Sequence, residues 1–309
     1  MIFFRITLYF IFLFYTYQSY SEFKYEIEII EISDGTYVIL GNNDALTSKN
    51  GGAISNTGFI VGKESVFIID AGPSYIYASE VINKIKHISK LPIKYLLITH
   101  HHPDHSFGIS KYKELGIEVI MSQSEITRYE KYGNRLLRQM KSLIGEEWFE
   151  NTSIIQLDDT IYNFPFKINL GGRIVEILYY KNGHSEGDLI VRDIYNKLVF
   201  VGDLVFNNRA PTIPHANISN WSNYIDQIYN DEWSLLVPGH GPLIYDKKKI
   251  FKTKRWINYI NAIAKNAANK GLSPAEVFEE GIKAEFKEYK LYRETWLRDL
   301  PLLMKKYDE

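Results

Sequence analysis

No cysteine occurs in the 309 residues, which removes disulfides, thiolate zinc sites, cysteine-attached haem, iron–sulfur ligation and cysteine nucleophiles together. Any metal this chain binds must be held by His, Asp or Glu. An excess of charge of one sign is also lacking: 36 Lys and Arg stand against 37 Asp and Glu, so no basic field exists to hold a polyanion, which argues against nucleic acid as a partner. Repeats and low-complexity tracts are missing as well. The apolar run near the amino terminus, Ile6 to about Tyr15, is half of the roughly 20 residues that span a bilayer. With Arg5 before it and Ser19 and Ser21 in A-x-A-like positions after it, residues 1–21 read as a cleavable secretory signal, the competing reading being an uncleaved anchor. Export to the periplasm is the expectation. What is present, 45% hydrophobic and 24% charged residues, is the composition of a globular protein with a large core, in one domain or two.

From Glu26 to about Ile161 short β-branched runs alternate with helical periodicity. Strands are expected at Tyr37–Leu40, Gly58–Val61, Ser65–Ile69, Tyr95–Thr99 and Ile117–Met121, with a helix over Ser79–Ser89. Gln123 to about Leu143 reads as a polar, helix-rich insertion. Two hairpins follow, Lys167–Asn169 with Arg173–Tyr180 and Leu189–Arg192 with Lys197–Val201, then a buried strand at Leu235–Val237. From Lys247 onward only helix is expected, one helix starting at the cap Ser273-Pro274. Trp256, Tyr259, Tyr292 and Trp296 recur at helical spacing and read as core.

The chemically informative text is Thr99-His100-His101-His102-Pro103-Asp104-His105, directly after the apolar run Tyr95–Ile98. A loop leaving a buried strand end can aim alternate side chains, His100 and His102, at one point, with Asp104 and His105 aimed at a second point nearby. That arrangement suits two divalent ions, because imidazole nitrogen and carboxylate oxygen bind zinc at about 2.0–2.2 Å and two bridged ions sit about 3.5–4 Å apart. His101, between two ligands, is expected to point the other way, into packing or solvent. Three further segments place a metal-binding side chain beside glycine at a strand end: Asn182-Gly183-His184-Ser185, Val201-Gly202-Asp203 and Val237-Pro238-Gly239-His240-Gly241. His184 would complete the first site, His240 the second, and Asp203 would bridge them. Phe206, Asn208 and Arg209 follow the bridging position, and His215 lies in a segment expected to overhang it; these four are the candidate substrate contacts.

This ordered set resembles the metallo-β-lactamase-fold hydrolases, whose pattern is H-x-H-x-D-H, then His, a bridging Asp, and His. Ile68-Ile69-Asp70-Ala71-Gly72 is similar to the family's first motif, which makes Asp70 a support for the histidine loop. The resemblance covers about residues 35–245 and implies an α/β fold, a four-layer αβ/βα sandwich. The expected organisation is a signal over 1–21, the sandwich over 22–245 and a helical extension over 246–309. Asn50 to Gly62, Gly202-Asp203-Leu204-Val205-Phe206, Arg209-Ala210-Pro211 with His215, and Val237 to Pro242 resemble an exported branch, the quinoprotein relay system zinc metallohydrolases, found with sulfur-oxidation clusters and quinoprotein dehydrogenases. A functional link to a periplasmic quinoprotein dehydrogenase is what that branch implies.

Departures narrow the chemistry. Asp203 stands where β-lactamases of the fold carry Cys or Ser, which disfavours antibiotic hydrolysis. Phe206 replaces the tyrosine of the lactonases and matches the glyoxalase II pattern Gly-Asp-x-Leu-Phe, and His102 argues against the di-iron flavoproteins. The resemblance therefore implies two divalent ions, zinc by preference, and a bridging hydroxide that attacks an ester, thioester or related carbonyl of a small-molecule substrate, with Asp104 and Asp203 holding and orienting it. The alternatives are a glyoxalase II-like thioesterase, a metal-binding accessory protein without turnover, and persulfide oxidation at a single iron.

Overall fold

The computed structural model describes residues 24–159 and 163–308. The expected leader over residues 1–21 lies outside them.

The first sheet takes its strands in chain order: β1 (Ile30–Ser33), β2 (Thr36–Ile39), β3 (Thr57–Val61), β4 (Val66–Ile69), β5 (Ile93–Leu97) and β6 (Glu118–Ile120). The β1–β4 pairs are antiparallel, whereas β4, β5 and β6 run parallel, because helical crossovers return the chain to the same edge. Those crossovers contain α1 (Tyr75–Ile88), then α2 (Pro103–Ser106) and α3 (Ile109–Glu114). Ser74 caps α1 by accepting from the Tyr77 amide, so the helix begins four residues before the periodicity suggested. After β6 comes α4 (Gln123–Ile144). The expected polar insertion is one amphipathic helix that buries Ile126, Tyr129, Leu137, Met140 and Ile144, and these pack in the same cluster as Ile68 and Leu96 of the first sheet.

The second sheet is ordered β11-β10-β9-β8-β7, from β7 (Phe166–Asn169), β8 (Ile174–Lys181), β9 (Gly187–Asp193), β10 (Leu198–Phe200) and β11 (Leu235–Val237). The last two are parallel, joined through α5 (Ile218–Asn230). Beyond β11 the chain is helical as expected: α6 (Phe251–Lys270), α7 (Pro274–Glu280) and α8 (Tyr292–Asp308). Ser273 and Glu276 form the reciprocal capping box of α7.

Period-two alternation sorts each strand between two cores. Phe67, Ile69 and Leu97 of the first sheet meet Val175, Leu189 and Phe200 of the second in a cluster between the sheets. Val66, Ile68 and Leu96 face α1, α3 and α4. On the far side, Val199 and Leu236 face Trp221, Trp256, Trp296 and Leu300 of the later helices. The layers are therefore helix, sheet, sheet, helix, with the carboxyl-terminal helices covering the second sheet. The parallel pairs β4/β5 and β10/β11 end at one edge of the sandwich, and every candidate ligand follows one of these strands or β8.

Candidate metal centre

Local backbone form places the candidate ligands. Leaving β4, Asp70 adopts φ +63°, a left-handed conformation that turns its carboxylate back toward β5. There Oδ1 accepts the Thr99 amide at 2.8 Å, while Oδ2 accepts the Thr99 hydroxyl at 3.0 Å and the His105 Nδ1–H at 2.8 Å. The Thr99 oxygen in turn accepts from His100 Nδ1 at 3.0 Å, which leaves His100 Nε2 as a bare lone pair facing inward. His240 donates its Nδ1–H to the Ile54 carbonyl at 2.8 Å, with the same consequence for its Nε2. In His100, His105 and His240 the outer nitrogen is thus tied back, and the inner nitrogen is the donor available to a cation.

Two groups of inner atoms result, both at the edge where the strands end. His100, His102, His184 and Asp203 offer four atoms within 4.8 Å of one another, and Asp104, His105 and His240 offer three. In the first group His102 Nδ1 is 2.9 Å from His100 Nε2 and 3.2 Å from His184 Nε2, and Asp203 Oδ2 is 3.4 Å from His184 Nε2. In the second, Asp203 Oδ1 is 3.2 Å from His105 Nε2 and 3.3 Å from His240 Nε2, while Asp104 Oδ2 is 3.4 Å from His240 Nε2. Ligands of tetrahedral zinc at about 2.05 Å from the metal stand about 3.3 Å apart. Both groups already have that spacing, and the two oxygens of Asp203 address one group each. His105 Nε2 and Asp203 Oδ1 are buried without a hydrogen bond, the condition expected of atoms reserved for a cation. The donor set, imidazole and carboxylate with no thiolate, fits zinc or another borderline divalent ion.

Electrostatics agree. Burial holds His100 and His102 well below the ordinary imidazole range and pushes His184 down to about 4, so all three remain neutral donors. His105 moves the other way: its burial is outweighed by Asp104, Asp70 and Asp203, whose charges raise it well above the ordinary range. A cation held by the second group would take the place of that proton. Burial works against the charge on Asp203, yet His240 and His105 hold its carboxyl well below the usual carboxylate range.

Glycines make the approach possible. Gly202 has φ +51° beside Asp203, and a Cβ on Gly239 would lie 2.0 Å from Asp203 Oδ1. These are the glycine-flanked strand ends singled out in the sequence.

The candidate substrate contacts separate. Phe206 is 1% exposed and stacks on His240 with ring centroids 5.1 Å apart, so it steadies a candidate ligand and has no face left for substrate; the expectation for it is corrected. Asn208 is exposed, with φ +57°, and its neighbour Asn207 turns inward to the Pro242 carbonyl. Arg209 is 6% exposed, donates to the Asp44 carbonyl at 3.1 Å, leaves Nε without a partner and makes no ion pair among the described residues. His215 is exposed, and its Nδ1 lies 3.1 Å from His102 Nε2.

One residue escaped the sequence reading. Glu125, fully buried in the first turn of α4, accepts the His101 amide at 2.9 Å, His101 Nδ1 at 2.5 Å and the Gly187 amide at 2.9 Å. It pins the histidine loop to the start of β9. Ser122 and Glu125 have the S-x-x-E spacing of a capping box, but Ser122 makes no side-chain cap and the Glu125 carboxylate turns to the histidine loop instead. His101 does point away from the first group, into this carboxylate.

Several known proteins are similar to the chain. Linear primary-alkylsulfatase of Pseudomonas sp. is 22% identical over 256 residues, covering 70% of this chain and 48% of that protein, so the chain spans about half of its length. The Homo sapiens acyl-coenzyme A thioesterase MBLAC2 is 25% identical over 215 residues, covering 60% of this chain and 72% of its own. Among solved structures, a metallo-beta-lactamase from Pontibacter korlensis superposes with TM-score 0.59 at 21% identity, covering 75% of this chain and 99% of that one. One from Hirschia baltica gives 0.58 at 20%, with coverage of 75% and 97%. The family model of the metallo-beta-lactamase superfamily matches residues 50–240, which include the histidine loop and all three later ligand segments, and the chain belongs to that superfamily.

Proposed function

We propose that this chain is an exported hydrolase that cleaves a small ester or thioester at a centre of two divalent ions. The observation that carries this reading is Asp203, whose two carboxylate oxygens each reach one of the two ligand groups. His100, His102 and His184 with Asp203 would hold one ion, and Asp104, His105 and His240 with Asp203 the other. Bound there, zinc ions would supply Lewis acidity, making water nucleophilic near neutral pH and polarising the carbonyl. The protein contributes fixed geometry: Asp70, Thr99 and the Ile54 carbonyl hold ring tautomers, and Phe206 braces His240. Arg209 adds a buried positive charge that Asp104 and Asp203 act on electrostatically, and it favours substrates with a negative group beside the scissile bond.

The thioester half of the proposal is supported by the likeness to acyl-coenzyme A thioesterase MBLAC2 and by the glyoxalase II-like text around Asp203. Export to the periplasm rests on the character of residues 1–21, and service to a quinoprotein dehydrogenase rests on the segments quoted for that branch. Steady-state kinetics on a panel of activated esters, thioesters, alkyl sulfates and β-lactams test the reading. Esters or thioesters should lead, with a pH limb near neutrality; β-lactams or alkyl sulfates as the best substrates would overturn it.

A further inference from the structure

His101 has the wiring of a metal ligand, yet it belongs to neither ligand group of the centre. Its Nδ1 is 2.5 Å from the buried Glu125 carboxylate, and its Nε2 is buried with no hydrogen-bond partner. A carboxylate on one imidazole nitrogen fixes the tautomer and leaves the other nitrogen as the stronger donor. The same arrangement, with Asp70 in place of Glu125, prepares His105 for the second group.

The ring also has company. His101, His102 and His215 offer three ligand atoms within 4.8 Å of one another, with ring centroids 4.9 Å apart for His101 and His102 and 5.4 Å apart for His101 and His215. His102 contributes the edge opposite to its Nδ1, since Nε2 lies 3.1 Å from His215 Nδ1. Nitrogens at about 2.05 Å from one zinc stand about 3.3 Å apart, so this pair has close to the spacing that two ligands of one ion require. His215 is exposed and sits after Pro214, so its ring is accessible from solvent.

We propose that His101, His102 and His215 form a third, weaker site for a borderline divalent ion at the mouth of the centre, and that its occupation suppresses turnover. Three imidazoles select zinc, copper or nickel over magnesium or calcium, which prefer oxygen. On binding, the ion takes the place of the proton shared by His102 Nε2 and His215 Nδ1. That proton leaves to solvent, two metal–nitrogen bonds form in its place, and a third forms to His101 Nε2. His102 then bridges the mouth ion and the first ligand group. Affinity is lower than in the two deeper groups, because the site has no carboxylate among its three donors and lies beside other cations. Suppression follows from position: an ion on the outer edge of His102 withdraws electron density from a ligand of the centre and narrows its approach.

The inhibitory half rests on the two-ion reading of the centre, and the experiment keeps the two apart. Full-length protein is loaded with zinc, dialysed to remove weakly held metal, analysed for retained zinc and then titrated with zinc ion in equilibrium dialysis. Two retained ions and one further reversible equivalent are expected, with hydrolysis of 4-nitrophenyl acetate falling as that equivalent fills. His215→Ala should keep the two retained ions and weaken the reversible equivalent at least tenfold, relieving inhibition by excess zinc. Fewer than two retained ions would overturn the binuclear reading. Two retained ions without a reversible third, a third that persists unchanged in His215→Ala, or a third that leaves turnover intact would each overturn the present proposal alone.

Discussion

Gly239 lies so close to Asp203 that a methyl group on the glycine would stand 2.0 Å from the carboxylate Oδ1. The contact joins the end of β11 to the end of β10, beside the side chain that addresses both ligand groups. Gly239→Ala is expected to displace Asp203 and to cost about 1–3 kcal/mol through overpacking. Elemental analysis of the folded variant should find its metal content at less than half that of the parent. Full retention would show that the loop gives way without moving the carboxylate.

Asp70 tests the support behind the ligands. In Asp70→Asn the positive φ is tolerated and the Thr99 amide still finds an oxygen, but the atom facing His105 Nδ1 becomes a donor. Metal affinity should fall about 10–100-fold, as it does when the outer partner of a ligating histidine is lost. Competition with a chromophoric chelator measures it, and an unchanged affinity would remove Asp70 from that role.

Neighbours in the histidine loop should behave differently. His102→Ala removes an inner atom of the first group and should drop the retained metal from two ions to one. His101→Ala should keep both, but it deprives the buried Glu125 carboxylate of a partner at 2.5 Å, so stability should fall by about 1.5–3 kcal/mol in denaturant unfolding. Equal metal loss in the two variants would contradict the assignment of inner and outer rings.

Asp188 gives a pH dependence. Burial raises its carboxyl to about 8, with the Glu125 charge adding to the shift and the Ser185 amide and hydroxyl opposing it. The folded state therefore keeps a proton that the unfolded chain releases above about 4. The resulting stabilisation is full below that value and is lost as the pH rises through about 8. Asp188→Asn cannot ionise, so its Tm relative to the parent should be higher at pH 9 than at pH 5, by several degrees. A difference independent of pH would show that Asp188 is ionised in the folded protein.

Much of the candidate centre was legible because its candidate ligands sit in short motifs where the backbone must turn beside a strand end. His100, His102, Asp104 and His105 are adjacent in sequence, and the glycines beside His184, Asp203 and His240 mark close approaches that a side chain would block. The sandwich was legible for a similar reason, since buried parallel strands such as Val66–Ile69 and Leu235–Val237 are uninterrupted apolar runs. Relationships carried by tertiary packing were not. The burial of Phe206 depends on where His240 arrives from β11, and the contact of Glu125 with His101 depends on how α4 crosses the first sheet. α4 itself read as a polar insertion because its apolar residues are spread along one stripe of a charged helix.

On the proposed reading Asp203 serves two ions at once. Elemental analysis of full-length protein, purified without chelator, loaded with zinc and dialysed, tests it most directly. Two retained ions per chain are expected, falling to one or fewer in Asp203→Ala, whereas a single retained ion that added zinc does not raise would show that Asp203 does not serve two ions.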